Sequence, residues 1–265
     1  MKKKYGLNIN ILIFVLFAAF FINFLRQGSE LRETASQNKM AYIAIIIDDF
    51  GGGAEGTEEF LSLPIKFTGA VMPFQSQSKA DAAILKEKGN DVLVHLPMEA
   101  KKGKRSWLGD RALFTDMTDE EITALLSDAF DCFDAVGANN HMGSKATEDE
   151  SAMSLLFQEL KDRNMLFVDS MTTPDSLSGE MAEKFGIKLL KRDVFLDSTQ
   201  SKEEILGNLK KTKEIAEKRG YAVCIGHVGA EGGKVTAEAV KEVYEDFEAE
   251  GIRFVTVSQL AEMLN

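Results

Sequence analysis

The stretch Ala41-Tyr-Ile-Ala-Ile-Ile-Ile-Asp-Asp-Phe-Gly-Gly-Gly53 decides how the rest of the chain is read. Its first seven residues are apolar or small, and three of them are consecutive isoleucines. β-Branched side chains suit a pleated surface, and a run without polar alternation suits a strand covered by helices on both faces. The run ends in two adjacent carboxylates, Asp48 and Asp49, followed by glycines. Carboxylates are costly to bury unpaired, so a pair at the mouth of a buried strand calls for a cation, a proton or water. Neighbouring strand residues point to opposite faces, which predicts different tasks for the two, one binding a metal and the other accepting a proton. Taken alone, the pair also fits a helix cap beside a solvated carboxylate.

Outward from this strand, short apolar runs alternate with amphipathic helical patterns. Strands are expected at 41–47, 67–72, 91–94, 134–138, 165–169, 187–190, 221–226 and 252–257. Thr118-x-x-Glu121, Thr147-x-x-Glu150 and Ser201-x-x-Glu204 each fit a capping box. The helix begun at Ser201 is expected to stop at Gly220. Such alternation predicts a single α/β domain with a mostly parallel sheet, open or rolled into a barrel. Cys132 and Cys224 fall in a helical and a strand pattern and read as inert core thiols.

Upstream, Lys2, Lys3 and Lys4 precede the segment Ile9–Leu25, which is apolar except for Asn10 and Asn23. Lysines before an apolar run are the pattern of a signal peptide or signal anchor. The expected organisation is an anchor or signal at 1–27, a polar tether at 28–40 and one domain at 41–265. The domain is then placed outside the cytoplasmic membrane, touching it only through the N-terminal segment. The whole chain carries a formal charge of −11, and residues 1–27 hold four basic and no acidic residues, which leaves −15 for the remainder. That balance excludes nucleic acid as a partner and leaves neutral or cationic substrates.

In α/β folds of this kind the active site lies at the carboxyl ends of the strands. The chain has only three histidines, and His95, His141 and His227 each follow an expected strand. Imidazoles and carboxylates together suit a divalent metal such as zinc, with a bound water as nucleophile.

The sequences around these residues are specific: Ile47-Asp-Asp-Phe-Gly51, Ala70-Val-Met-Pro-Phe74, His95-Leu-Pro-Met-Glu99, Asn139-Asn-His-Met-Gly-Ser144, Arg192-Asp-Val-Phe-Leu-Asp197 and Ile225-Gly-His-Val-Gly229. In type and order they resemble the divergent polysaccharide deacetylases, an exported bacterial branch related to carbohydrate esterases, over about residues 41–262. The resemblance implies an irregular (β/α) barrel. It implies that Asp48 accepts a proton, that Asp49 and His95 bind the metal, and that His227 is the general acid. Ordinary polysaccharide deacetylases have His-x-x-x-His where this chain has His95-x-x-x-Glu99. The third ligand is therefore Glu99 or His141, and Pro97, which disfavours a helical turn there, points to His141. Glu99 would then orient a ligand or bind substrate.

Asp193 or Asp197 is the expected partner of His227, and Arg192 is expected to hold Asp48 or an oxyanion. Asn140 and Ser144 are candidates for supporting the ligands or binding substrate, although Asn139 and Asn140 also suit a role in satisfying loop backbone. Trp107, the only tryptophan, stands in a charged loop where it either stacks on a sugar or covers the barrel mouth. The resemblance implies a metal-dependent hydrolase that removes acetyl groups from an N-acetylated glycan, with O-acetyl esterase chemistry close by. The alternative is a non-catalytic envelope protein that keeps the metal site to bind glycan or a protein partner.

Overall fold

The protein is described by a computed structural model. It defines residues 40–109 and 111–264. The expected anchor at 1–27 and nearly all of the tether lie outside the described residues. Among the described residues no helix is long and apolar enough to cross a membrane.

The sheet is built around β1 (Ala41–Phe50), and every strand pairing is parallel. On one edge β1 pairs with β8 (Tyr221–His227) from Tyr42 to Asp48. The other edge is shared: β9 (Ile252–Val255) takes Ala41–Ala44, and β2 (Thr68–Val71) takes Ile46–Phe50. Beyond β2 follow β3 (Asp91–Met98), β4 (Gly137–Met142), β5 (Leu166–Asp169) and β6 (Leu189–Lys191), while β7 (Val194–Phe195) borders β8. The two ends of this path, β6 and β7, do not pair, so the sheet curls as an irregular, open barrel.

The helices between strands are α1 (Thr57–Leu61), α2 (Ser78–Glu87), α3 (Asp119–Phe130), α4 (Glu150–Asp162), α5 (Ser178–Phe185), α6 (Lys202–Arg219) and α7 (Gly233–Ala249), with α8 (Val257–Met263) last. The isoleucines of β1 show why both its faces are apolar. Ile43, Ile45 and Ile47 pack in one core layer with Ile205 and Leu209 of α6 and Val240 of α7. Ala44 and Ile46 point into the curl, against Leu93, Val223, Ile225 and, from α8, Val257 and Leu260.

All eight expected strands are present, but several reach further than expected or lie elsewhere. β1 runs through both aspartates to Phe50, β3 continues to Met98, β4 occupies 137–142 instead of 134–138, and β8 ends on His227. His95, His141 and His227 are therefore strand residues, and do not follow the strands. β7 was not foreseen, because a two-residue strand leaves no periodicity to read.

The caps divide in the same way. Thr118 and Glu121 form the full box. Ser201 accepts the Glu204 N–H, while the Glu204 carboxylate takes the Thr199 hydroxyl instead of closing the box. The Thr147 hydroxyl is buried and donates to the Gly143 carbonyl, so Asp149 caps α4 in its place. Gly220 ends α6 at φ 94, a left-handed conformation that glycine reaches without strain.

Candidate metal centre

Strand alternation delivers the polar groups to one place. Ala44, Ile46 and Asp48 share a face, as do Leu93 and His95, and Val223, Ile225 and His227; each series begins in the inner core and ends at the barrel mouth. Asn139 and His141 share a face of β4 beside β3, with His95 level with Asn139.

By simple alternation Asp49 would face away from Asp48. Instead its φ is 69, and the β1–β2 register shifts between Ile47 and Phe50. This kink re-aims Asp49 toward the mouth. Asp48 Oδ2 and Asp49 Oδ1 then lie 3.7 and 3.2 Å from the same His95 Nε2. The expectation that the two aspartates occupy opposite faces is corrected, although their surroundings do differ. Asp48 is buried, and Asp49 lies part-way to the surface.

Asn139 fixes the arrangement. Its amide nitrogen donates to Asp48 Oδ1 at 2.8 Å, so its carbonyl oxygen must accept from His95 Nδ1, also at 2.8 Å. That places the proton of a neutral His95 on Nδ1 and aims the Nε2 lone pair at Asp49 Oδ1 and His141 Nδ1, which is 3.1 Å away. Asp49 Oδ1 is 3.1 Å from His141 Nδ1, yet it is buried without a well-directed hydrogen bond.

Three donor atoms thus converge with mutual separations of 3.1–3.2 Å. The face of a zinc tetrahedron has edges of about 3.4 Å at the usual ligand distances. The donor chemistry, the spacing and the orphaned oxygen all fit a divalent cation, and these residues form the one such group among those described. Burial disfavours charge on His95, but Asp48 and Asp49 outweigh it and raise its pKa. Burial likewise opposes ionisation of Asp49, and the two imidazoles prevail, holding it well below the usual carboxylate range. For Asp48 burial wins and the pKa rises.

Beside this cluster stands His227. Asp197 accepts both its backbone N–H and its Nδ1–H at 2.8 Å and also receives the Thr236 hydroxyl. Burial lowers the His227 pKa, but Asp197 and Asp48 outweigh burial and bring it to about 9. A Cβ on Gly232 would sit 2.1 Å from Asp197 Oδ2, so a glycine is required where α7 begins. The groups open onto a cleft of about 350 Å³ whose wall includes Met142, Thr172, Phe195 and Glu231, and no lysine or arginine lines it.

Several expected site residues lie elsewhere. Asp193 pairs with Arg219 and accepts the Val223 N–H. Because β7 runs parallel to β8 with Val194 opposite Cys224, Asp193 sits below the mouth, and Asp197 reaches the level of His227. Arg192 does not hold Asp48. It donates to the carbonyls of Ser170 and Met171 and lies 3.6 Å over Phe195, whose ring is 5.7 Å from His227. Glu99 touches no ligand: it accepts from Thr115 and pairs with Lys145 at 2.9 Å. An extended β3 places Glu99 about 13 Å along the chain from His95, where a helical turn would have brought them together. The Ser144 hydroxyl accepts the Lys101 N–H and so fastens one loop to another. Asn140 lines the cleft, accepts the Ser170 N–H and donates to the Met142 carbonyl. Both cysteines are free, and burial pushes the Cys224 thiol up.

The family model for divergent polysaccharide deacetylases matches residues 45–261. The chain belongs to that family. Among its relatives, an uncharacterised Haemophilus influenzae protein is 29% identical over 211 residues, 79% of this chain and 75% of that one. The uncharacterised Escherichia coli protein YibQ is 34% identical over 186 residues, 70% of this chain but only 58% of YibQ. Of solved structures, this chain resembles an uncharacterised Agrobacterium tumefaciens C58 protein with a TM-score of 0.76 at 20% identity, covering 84% and 89% of the two chains. It also resembles the peptidoglycan N-acetylglucosamine deacetylase Bc1960 with a TM-score of 0.50 at 13% identity, covering 83% and 92%. These likenesses confirm the barrel fold.

Proposed function

We propose that the protein is a metal-dependent hydrolase that removes acetyl groups from an N-acetylated glycan outside the cytoplasmic membrane. The observation that carries this reading is the convergence of Asp49, His95 and His141 at 3.1–3.2 Å, with Asp48 and His227 opening onto the same cleft. The chemical class follows the family and the named activity of Bc1960. The location follows the lysine-flanked apolar segment at 9–25.

Asp49, His95 and His141 would hold the ion, most simply zinc. A divalent ion in such a site acidifies water and polarises a carbonyl oxygen. Asp48, fixed by Asn139, accepts the proton of the water that attacks the acetamide carbon. His227 has Nδ1 tied to Asp197, which leaves Nε2–H to protonate the amine nitrogen as the C–N bond breaks. Acetate and a free amine result. A cleft with four carboxylates and no lysine or arginine disfavours an anionic substrate.

The test separates ligand from acid. His141→Ala is expected to abolish stoichiometric zinc, and His227→Ala to retain zinc while turnover falls by ~10²-fold or more. Full zinc occupancy in His141→Ala, or undiminished turnover in His227→Ala, contradicts the assignment.

A further inference from the structure

Between β3 and α3 the chain makes a long excursion, residues 99–118, at the same end of the barrel as the cleft. Loops of this length in compact domains are usually binding or lid elements. This one is fastened near both ends. Glu99 accepts from Thr115, its carbonyl takes the N–H groups of Lys145 and Ala146, and Lys101 N–H donates to Ser144. Leu108, Ala112 and Phe114 give it a small core of its own.

On this fixed loop stands Trp107, 63% exposed, the most exposed large apolar side chain among the described residues. An exposed indole offers a large, flat, partly polar surface to a ligand. Gly103, at φ +122, lies against the indole. A Cβ there would come within 3.1 Å of Trp107 Cε3 and 3.3 Å of Met142 Cε. Met142 follows the ligand His141 and lines the cleft. Gly103 therefore touches both the indole and Met142, and Met142 reaches the cleft.

We infer that Trp107 is a stacking platform for a second sugar ring, so that the substrate is an oligomeric or polymeric glycan running from the metal centre over Met142 onto the indole. The inference rests on the glycan reading above and adds the requirement for chain length. The C–H groups on one face of a pyranose carry partial positive charge and complement the negative face of an indole. Three of the loop's five basic side chains are neutralised locally: Lys101 pairs with Glu148, Arg105 with Asp116 and Arg111 with Asp128.

The chain contains one tryptophan, so its intrinsic fluorescence reports this residue alone. The full chain is titrated with N-acetylglucosamine and with its linear β-1,4 pentamer, and binding is followed by emission and by calorimetry without reliance on turnover. The pentamer should shift the emission saturably to the blue, and the monosaccharide should leave it unchanged. Trp107→Ala should weaken pentamer binding about 10-fold, with Trp107→Phe recovering most of the loss. Pentamer binding with unchanged emission and equal affinity in Trp107→Ala overturns the platform and spares the glycan reading. No binding of either sugar overturns both. A blue shift with anionic phosphatidylglycerol vesicles and none with the pentamer assigns Trp107 to a membrane surface and also overturns the proposal.

Discussion

Asp197 sets both the position and the charge of His227. It accepts from the backbone N–H and from Nδ1, which fixes the ring's rotation, and together with Asp48 it keeps the imidazolium form to about pH 9. A general acid must be protonated to act, so the rate should hold through neutral pH and fall as pH rises through about 9. In Asp197→Asn the carboxylate's contribution is gone and burial, which lowers the pKa, remains. The alkaline limb of the zinc-loaded enzyme's pH–rate profile should then move down by at least about one pH unit. An unmoved limb would mean that Asp197 only braces the fold. The convergence of Asp48, His95 and His227 at the barrel mouth was legible because alternation carries each series Ile46–Asp48, Leu93–His95 and Ile225–His227 from core to mouth. Asn139 was legible by the same rule, two residues before His141 on one face, and was read instead as loop backbone. The left-handed turn at Asp49 was not legible, since nothing in Ile47-Asp-Asp-Phe marks a kink that belongs to the β1–β2 pairing.

The strand ends account for most of what sequence patterning misplaced. A propensity reading stops a strand at its first polar residue, yet here the polar residues stay in the ladder because they bond across it, as Asn139 does with His95 and Asp48. That error made Glu99 look like a neighbour of the metal. The structure makes it a clasp between the loops after β3 and β4, held by Thr115 and Lys145. Burial opposes its ionisation, but those partners prevail and lower its pKa. Glu99→Gln should therefore leave zinc affinity within about two-fold of wild type, well below the ~10–100-fold cost of losing a group that touches a ligand. The same variant should lower the midpoint of thermal unfolding and speed proteolysis within residues 99–118. Equal midpoints together with a large loss of zinc would return Glu99 to the metal site.

At the scale of the molecule, the described strands and helices of residues 41–264 share one layered core. β1 is covered on one face by α6 and α7 and on the other by the interior of the curl, and α8 closes that interior. A chain beginning at residue 38 should thus unfold in one cooperative transition without the apolar N-terminal segment, as followed by circular dichroism on heating; a broad, non-cooperative melt would mean that the segment completes the core. The fold class was legible because strand–helix alternation and the two-sided burial of β1 both follow from composition along the chain. The open seam at β6 and β7 was not, since it depends on which strands fail to pair.

Hydrolysis of an acetamide with Asp48 as base is read out by acetate release. The zinc-loaded protein should release acetate from N-acetylglucosamine oligomers in step with new free amine. Asp48→Asn should keep its zinc, since Asp48 is not among the converging donors, and lose ~10²-fold or more in rate. Zinc-loaded wild type that binds the oligomer and releases no acetate, or Asp48→Asn that is as fast as wild type, would contradict the account.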